Sequence, residues 1–136
     1  MKGLKFLLAL GALCGVLFMA GCGEKKADEV AVAFTEALYD KGDAKKALEQ
    51  IFIDKELTNE EKQMLDGKFT MLAAGTKEQA DKLGGIKSIK PIEVDVRDGE
   101  PKTASVALEI VFKDDSIKKE QVNLRHTKDG WKVLLK

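Results

Sequence analysis

The residues of this 136-residue chain that could do chemistry are two cysteines, a single histidine and a dense but mixed population of charges. His126 as a general base would need a carboxylate partner. Its place at the end of an alternating run, next to a turn, gives it no inward company, so it reads as a surface residue at a strand end. Glu93 and Asp95 share one strand face with Arg97, Glu109 lies on the outer side of its own strand, and Asp114-Asp115 is too sparse for a calcium loop. All read as solvated surface. Gly84-Gly85 precedes a strand instead of following one, as a phosphate loop would, and no serine stands in a Gly-x-Ser-x-Gly elbow. With one histidine a metal cluster is not expected. The expectation is a protein that is not an enzyme and carries no metal or cofactor.

The cysteines are more informative. Lys2 and Lys5, an apolar run from Phe6 to Met19 and the small pair Ala20-Gly21 have the three-part form of an export signal. The run is about 14 residues long, within the ~7–15 of a signal core and short of the ~20 that a membrane-crossing helix needs. Cys22 follows directly, and Met19-Ala20-Gly21-Cys22 resembles the bacterial lipobox, with Met19 in place of the usual leucine. The resemblance implies a diacylglycerol thioether on Cys22, cleavage before it and a durable anchor, since each buried acyl methylene contributes about 0.8 kcal/mol. Cys14 follows the bulky Leu13 and lies inside the apolar run, so the mature chain would keep one cysteine and no internal disulfide. Gly23 is not the Asp of the inner-membrane retention pattern. The expected location is therefore the periplasmic side of the outer membrane, where the host has two membranes.

Removing the leader takes away Lys2 and Lys5 and no acid, which turns 23 basic against 23 acidic residues into 21 against 23. A near-neutral chain without a basic field is not built for nucleic acid. Residues 1–21 read as signal peptide, 22–27 as lipidated N-terminus and short tether, and 28–136 as one domain, since about 115 residues suit a single core.

Within that domain Val30, Phe34, Ala37 and Leu38 share a helical face, Gly42 stops the helix, and Asp43 caps a second one running to about Phe52. Thr58 and Glu61 form a capping box for a third helix through Met64, Leu65, Met71 and Leu72. A second box, Thr76 with Gln79, predicts a short fourth helix ended by Gly84-Gly85. The period then becomes two. Ile92, Val94 and Val96 alternate with acids in a strand that starts near Pro91 or lies at an edge. Ala104, Val106, Leu108, Ile110 and Phe112 make the clearest apolar face, and two more strands follow, Ile117 to about His126 and Trp131 to Leu135. Short turns favour an antiparallel meander, and helices before strands favour an α+β layer.

The helix pair joined at Gly42-Asp43, the segment Gly85-Ile86-Lys87-Ser88-Ile89 and the closing Asp129-Gly130-Trp131-Lys132-Val133 resemble small bacterial lipoproteins with a nuclear-transport-factor-two-like, or cystatin-like, domain. That resemblance implies N-terminal helices packed on a curved four-stranded antiparallel sheet, often around a conical cavity. Phe34, Val106 and Trp131 would line it, and the Met64 and Met71 pair and Phe69 are further candidates, more simply read as core. Relatives with catalytic cavities, such as ketosteroid isomerase and scytalone dehydratase, have acid and base pairs that map onto no residues here. The expected function is a membrane-tethered, non-enzymatic binding or interaction module of the cell envelope, partnered by an unknown envelope protein. A carrier or sensor of a small apolar ligand and a cavity enzyme are the alternatives.

Overall fold

The computed structural model describes residues 25–135, so the leader and Cys22 lie outside the described residues. Helix α1, Ala27–Tyr39, buries Val30, Ala31, Phe34, Ala37 and Leu38 on the face that their spacing predicts. Gly42, at φ +59°, takes the left-handed turn that ends α1, and the Asp43 carboxylate then accepts the Lys46 amide at 3.1 Å to start α2, Ala44–Glu49. The second helix stops three residues earlier than expected because Gln50 to Phe52 are drawn to the sheet. The Val133 amide donates to the Gln50 carbonyl at 2.6 Å and the Phe52 amide to the Val133 carbonyl at 2.8 Å.

Helix α3, Asn59–Lys82, opens with the expected box: the Glu61 amide donates to the Thr58 hydroxyl at 3.1 Å, and the Thr58 amide to the Glu61 carboxylate at 3.0 Å. The fourth helix expected at Thr76 does not exist. The Thr76 hydroxyl instead donates to the Leu38 carbonyl at 2.7 Å, at the end of α1, so α3 continues and is stapled to its neighbour. Two left-handed glycines, Gly84 and Gly85, terminate it as expected. Met64 and Met71 are neither core nor cavity lining, being 65% and 77% exposed. The helix packs on α1 and α2 rather than on the sheet, and that one-sided contact takes up Phe69, Ala73 and Ala80, about half a turn round from the methionines.

Four strands follow, β1 Ile86–Arg97, β2 Thr103–Phe112, β3 Ile117–Thr127 and β4 Gly130–Val133, in an open antiparallel meander of order β1-β2-β3-β4. This is the expected α+β architecture. On β2, residues alternate strictly between buried and half-buried, and Val106, Leu108, Ile110 and Phe112 form the centre of the core with Leu124 of β3. Each such side chain contributes about 1.5–3 kcal/mol by leaving water. The outer edge of β4 is occupied by residues 50–52, through the bridge Ile51↔Val133. Strand β1 is an edge strand that tolerates Pro91, but it begins five residues before that proline, and Ile92, Val94 and Val96 are exposed instead of covered. Helix α1 meets β1 at Ile89 and Pro91, short of the valines.

Candidate functional site

The described helices cover one side of the sheet only. On the other side, register sets Asp95 opposite Ser105 and Ser105 opposite Asn123; Glu93 lines up with Ala107 and Gln121, and Arg97 with Thr103 and Arg125. The central strand thus presents the short side chains Thr103, Ser105 and Ala107, while longer polar ones rise from β1 and β3. A trough of about 370 Å³ results, bounded by Asp95, Arg97, Gln121 and Asn123, with Leu134 at one end. A second depression of about 190 Å³ shares Asp95, Arg97, Ser105 and Gln121 and extends it to Glu93. The Leu134 amide donates to the Asn123 carbonyl at 2.8 Å, which fixes that end wall.

The groups in this trough donate and accept hydrogen bonds. The Gln121 amide donates to the Ser105 hydroxyl, and Arg97 Nε lies 3.4 Å from Asp95 Oδ2. An amide cannot take a proton from a hydroxyl, so Gln121 does not activate Ser105 as a nucleophile. Beside Thr103, the Arg125 guanidinium lies over the Phe52 ring at 4.5 Å, and its buried Nε has no hydrogen-bond partner among the described residues. An orphaned donor of this kind costs about 1–3 kcal/mol until something accepts from it.

The other residues picked out by chemistry have structural surroundings. Glu109 stands between Lys90 and Lys119 on its rung of the sheet. Asp114 accepts from the Ser116 amide at 2.9 Å and from its hydroxyl, shaping the turn in which Asp115 has φ 72°, and those bonds hold the Asp114 carboxyl below its usual pKa. His126 is half-buried on the helix side of the sheet, opposite Trp131, with the two rings edge-on at 5.1 Å; the expected solvent-facing position is corrected by that cross-strand neighbour. Among the described residues no three His, Cys, Asp or Glu side chains are grouped to hold a metal ion. Phe34 and Val106 are buried in the core, Phe34 edge-on to Phe69 at 6.5 Å, and Trp131 is half-buried against it.

One polar cluster escaped the sequence reading. Tyr39 is buried against Phe112, its hydroxyl donates to Glu120 at 3.1 Å, and the Lys118 ammonium lies 5.3 Å from its ring centre. Burial raises the Tyr39 pKa, and the hydrogen bond to Tyr39 raises that of Lys118. Both therefore keep their protons at neutral pH, which suits closing the end of the core and not proton shuttling. The signal lay in the alternation of β3, where Lys118 and Glu120 fall on the helix side.

A solved protein from Campylobacter jejuni, carried under the provisional description of an NTF2-like transpeptidase, superimposes with a TM-score of 0.74 at 28% identity, over 82% of this chain and 100% of that one. The fold is accordingly NTF2-like. No curated protein matches the chain. The profile of one family matches residues 20–134, nearly the whole length, and the chain belongs to that family, the domain of unknown function DUF4878.

Proposed function

We propose that this protein is a membrane-tethered, non-enzymatic binding module of the cell envelope, anchored through acyl chains on Cys22, and that it holds an extended polar chain in the trough on the open face of its sheet. The observation that carries this reading is the pairing of a buried apolar core with an uncovered trough of hydrogen-bonding side chains, Asp95, Arg97, Ser105, Gln121 and Asn123. A small apolar ligand needs an apolar enclosure, and the side chains first expected to line one, Phe34 and Val106, are packed against other core residues. The Campylobacter protein's description concerns peptides, and a peptide is a chain that such a trough suits. Peptide transfer would further require a nucleophile next to a base, whereas Ser105 has an amide for its neighbour.

The test is native mass spectrometry of the full chain, extracted in mild detergent from its own envelope. A bound mass is expected, and it should be lost from Ser105→Trp, which fills the trough without touching the core. Retention of that mass by a folded Ser105→Trp protein would move the site elsewhere and end this reading.

A further inference from the structure

The two halves of β1 are built differently. Residues 86–91 carry Lys87, Lys90 and Pro91 and are interrupted by register shifts at both ends, devices that keep an edge strand from pairing with another chain. Residues 93–97 have no lysine, proline or register shift, and their charges are of both signs. They run in unbroken register with β2 and leave Val94 and Val96 exposed on the helix side of the sheet, 44% and 47%, where none of the described helices reaches them.

We propose that this segment pairs with the same segment of a second copy, antiparallel and centred on Asp95. That register sets Val94 against the partner's Val96, and Val96 against the partner's Val94, on the helix side. On the open side Glu93 meets the partner's Arg97, and Arg97 meets the partner's Glu93. Two apolar and two opposite-charge pairs result, each contributing about 0.2–1 kcal/mol relative to alanine pairs, against one like-charge pair, Asp95 with the partner's Asp95. Asp95 falls on the twofold axis, with Arg97 of its own strand 3.4 Å away and the partner's Arg97 two residues along the facing strand.

Neighbouring registers are worse. Centring on Val94 sets Glu93 opposite Asp95 twice, two like-charge pairs where the chosen register has one. Centring on Val96 keeps two opposite-charge pairs, Asp95 with Arg97, but carries Val94 opposite Asp98, beyond the end of the strand, and leaves a single apolar pair. In the chosen register Pro91 faces Gly99, outside the ladder, where its missing amide does no harm. Because paired residues share a face, the axis runs along the sheet normal. Both helix layers, and both α1 N-termini that lead toward Cys22, then lie on the same side, so two copies can be tethered to one membrane. The proposal uses Glu93 and Arg97 of the trough wall, but its dimer is read without reference to what the trough holds.

The experiment is sedimentation equilibrium of the full chain in a neutral detergent, with circular dichroism to verify folding. The wild-type chain is expected as a dimer and Arg97→Glu as a monomer, because a glutamate at 97 would face the partner's Glu93. The double exchange Glu93→Arg with Arg97→Glu should restore the dimer. A monomeric wild-type chain, an unaffected Arg97→Glu dimer, or a double variant that stays monomeric would each overturn the proposal. So would hydrogen-exchange protection of the residue 93–97 amides that appears only when envelope extract is added, since that would give the edge to another protein's strand.

Discussion

Truncating Phe34 to alanine tests whether the interior is filled. Phe34 is 9% exposed on the inner face of α1, edge-on to Phe69 with ring centres 6.5 Å apart. Removing a ring from a close-packed site loses its transfer free energy and leaves a cavity, together about 3–5 kcal/mol. The aromatic pair accounts for about 0.5–1.5 kcal/mol of that. Against a total stability of ~5–15 kcal/mol, a loss of this size leaves a folded but clearly weakened protein. Urea unfolding of the chain in neutral detergent, followed through the single tryptophan, Trp131, gives the difference directly. Phe34→Ala with Phe69→Ala should cost less than the two single changes added, because the pair is lost only once. A Phe34→Ala loss below about 1 kcal/mol would mean that the ring already borders open space. The filled-core argument would then fail, and the carrier of a small apolar ligand would return as the better reading.

Replacing Cys22 with serine should release the chain from membranes on fractionation, and a Cys22→Ser protein found wholly in the membrane pellet would refute lipid anchoring. Gly42→Ala is expected to cost about 1–2 kcal/mol by urea unfolding, since a left-handed φ of +59° is strained for alanine, and its Cβ would stand 2.8 Å from Lys77 Cδ, which must swing aside. Stability should fall as pH rises beyond about 10. Tyr39 and Lys118 both have folded pKa values raised above their ordinary ones, by burial and by their mutual hydrogen bond respectively, so their contribution is complete below those ordinary values and is lost as pH climbs through the folded ones. Tyr39→Phe should flatten that alkaline decline, and an unchanged slope would contradict the assignment.

Much of the fold was legible because local rules and tertiary packing agree in it. The face of α1, the turn at Gly42-Asp43, the box at Thr58 and Glu61 and the alternation of β2 are each determined within a few residues. Helix α3 was not, because Thr76 begins a helix by every local rule and yet spends its hydroxyl on a carbonyl 38 residues away. The exposure of Met64 and Met71 was hidden for a related reason. A long helix with apolar residues on several sides does not announce which side its neighbours will take, and here the neighbours are two helices that fill one narrow stripe. For the trough, periodicity shows that Thr103, Ser105 and Glu109 point away from the core. It does not show that short side chains on β2 lie between long ones on β1 and β3, which depends on strand register.

Register in β1 turns on one residue. Ile89 and Pro91 pair with Ile110 and Leu108, and Glu93 pairs with Ala107, so Ile92 has no partner in β2 and is the extra residue of a bulge. In the sequence Ile92, Val94 and Val96 look like one alternating face. The bulge divides them, because it shifts the inward-facing positions from odd numbers before it to even numbers after it. With continuous pairing from Pro91 onward, Glu93 and Asp95 would point to the helix side and the valines would face the open trough. The inserted residue is what puts the acids and Arg97 on the wall of the trough, and the same insertion leaves Val94 and Val96 on the helix side, where α1 does not reach and a second copy can.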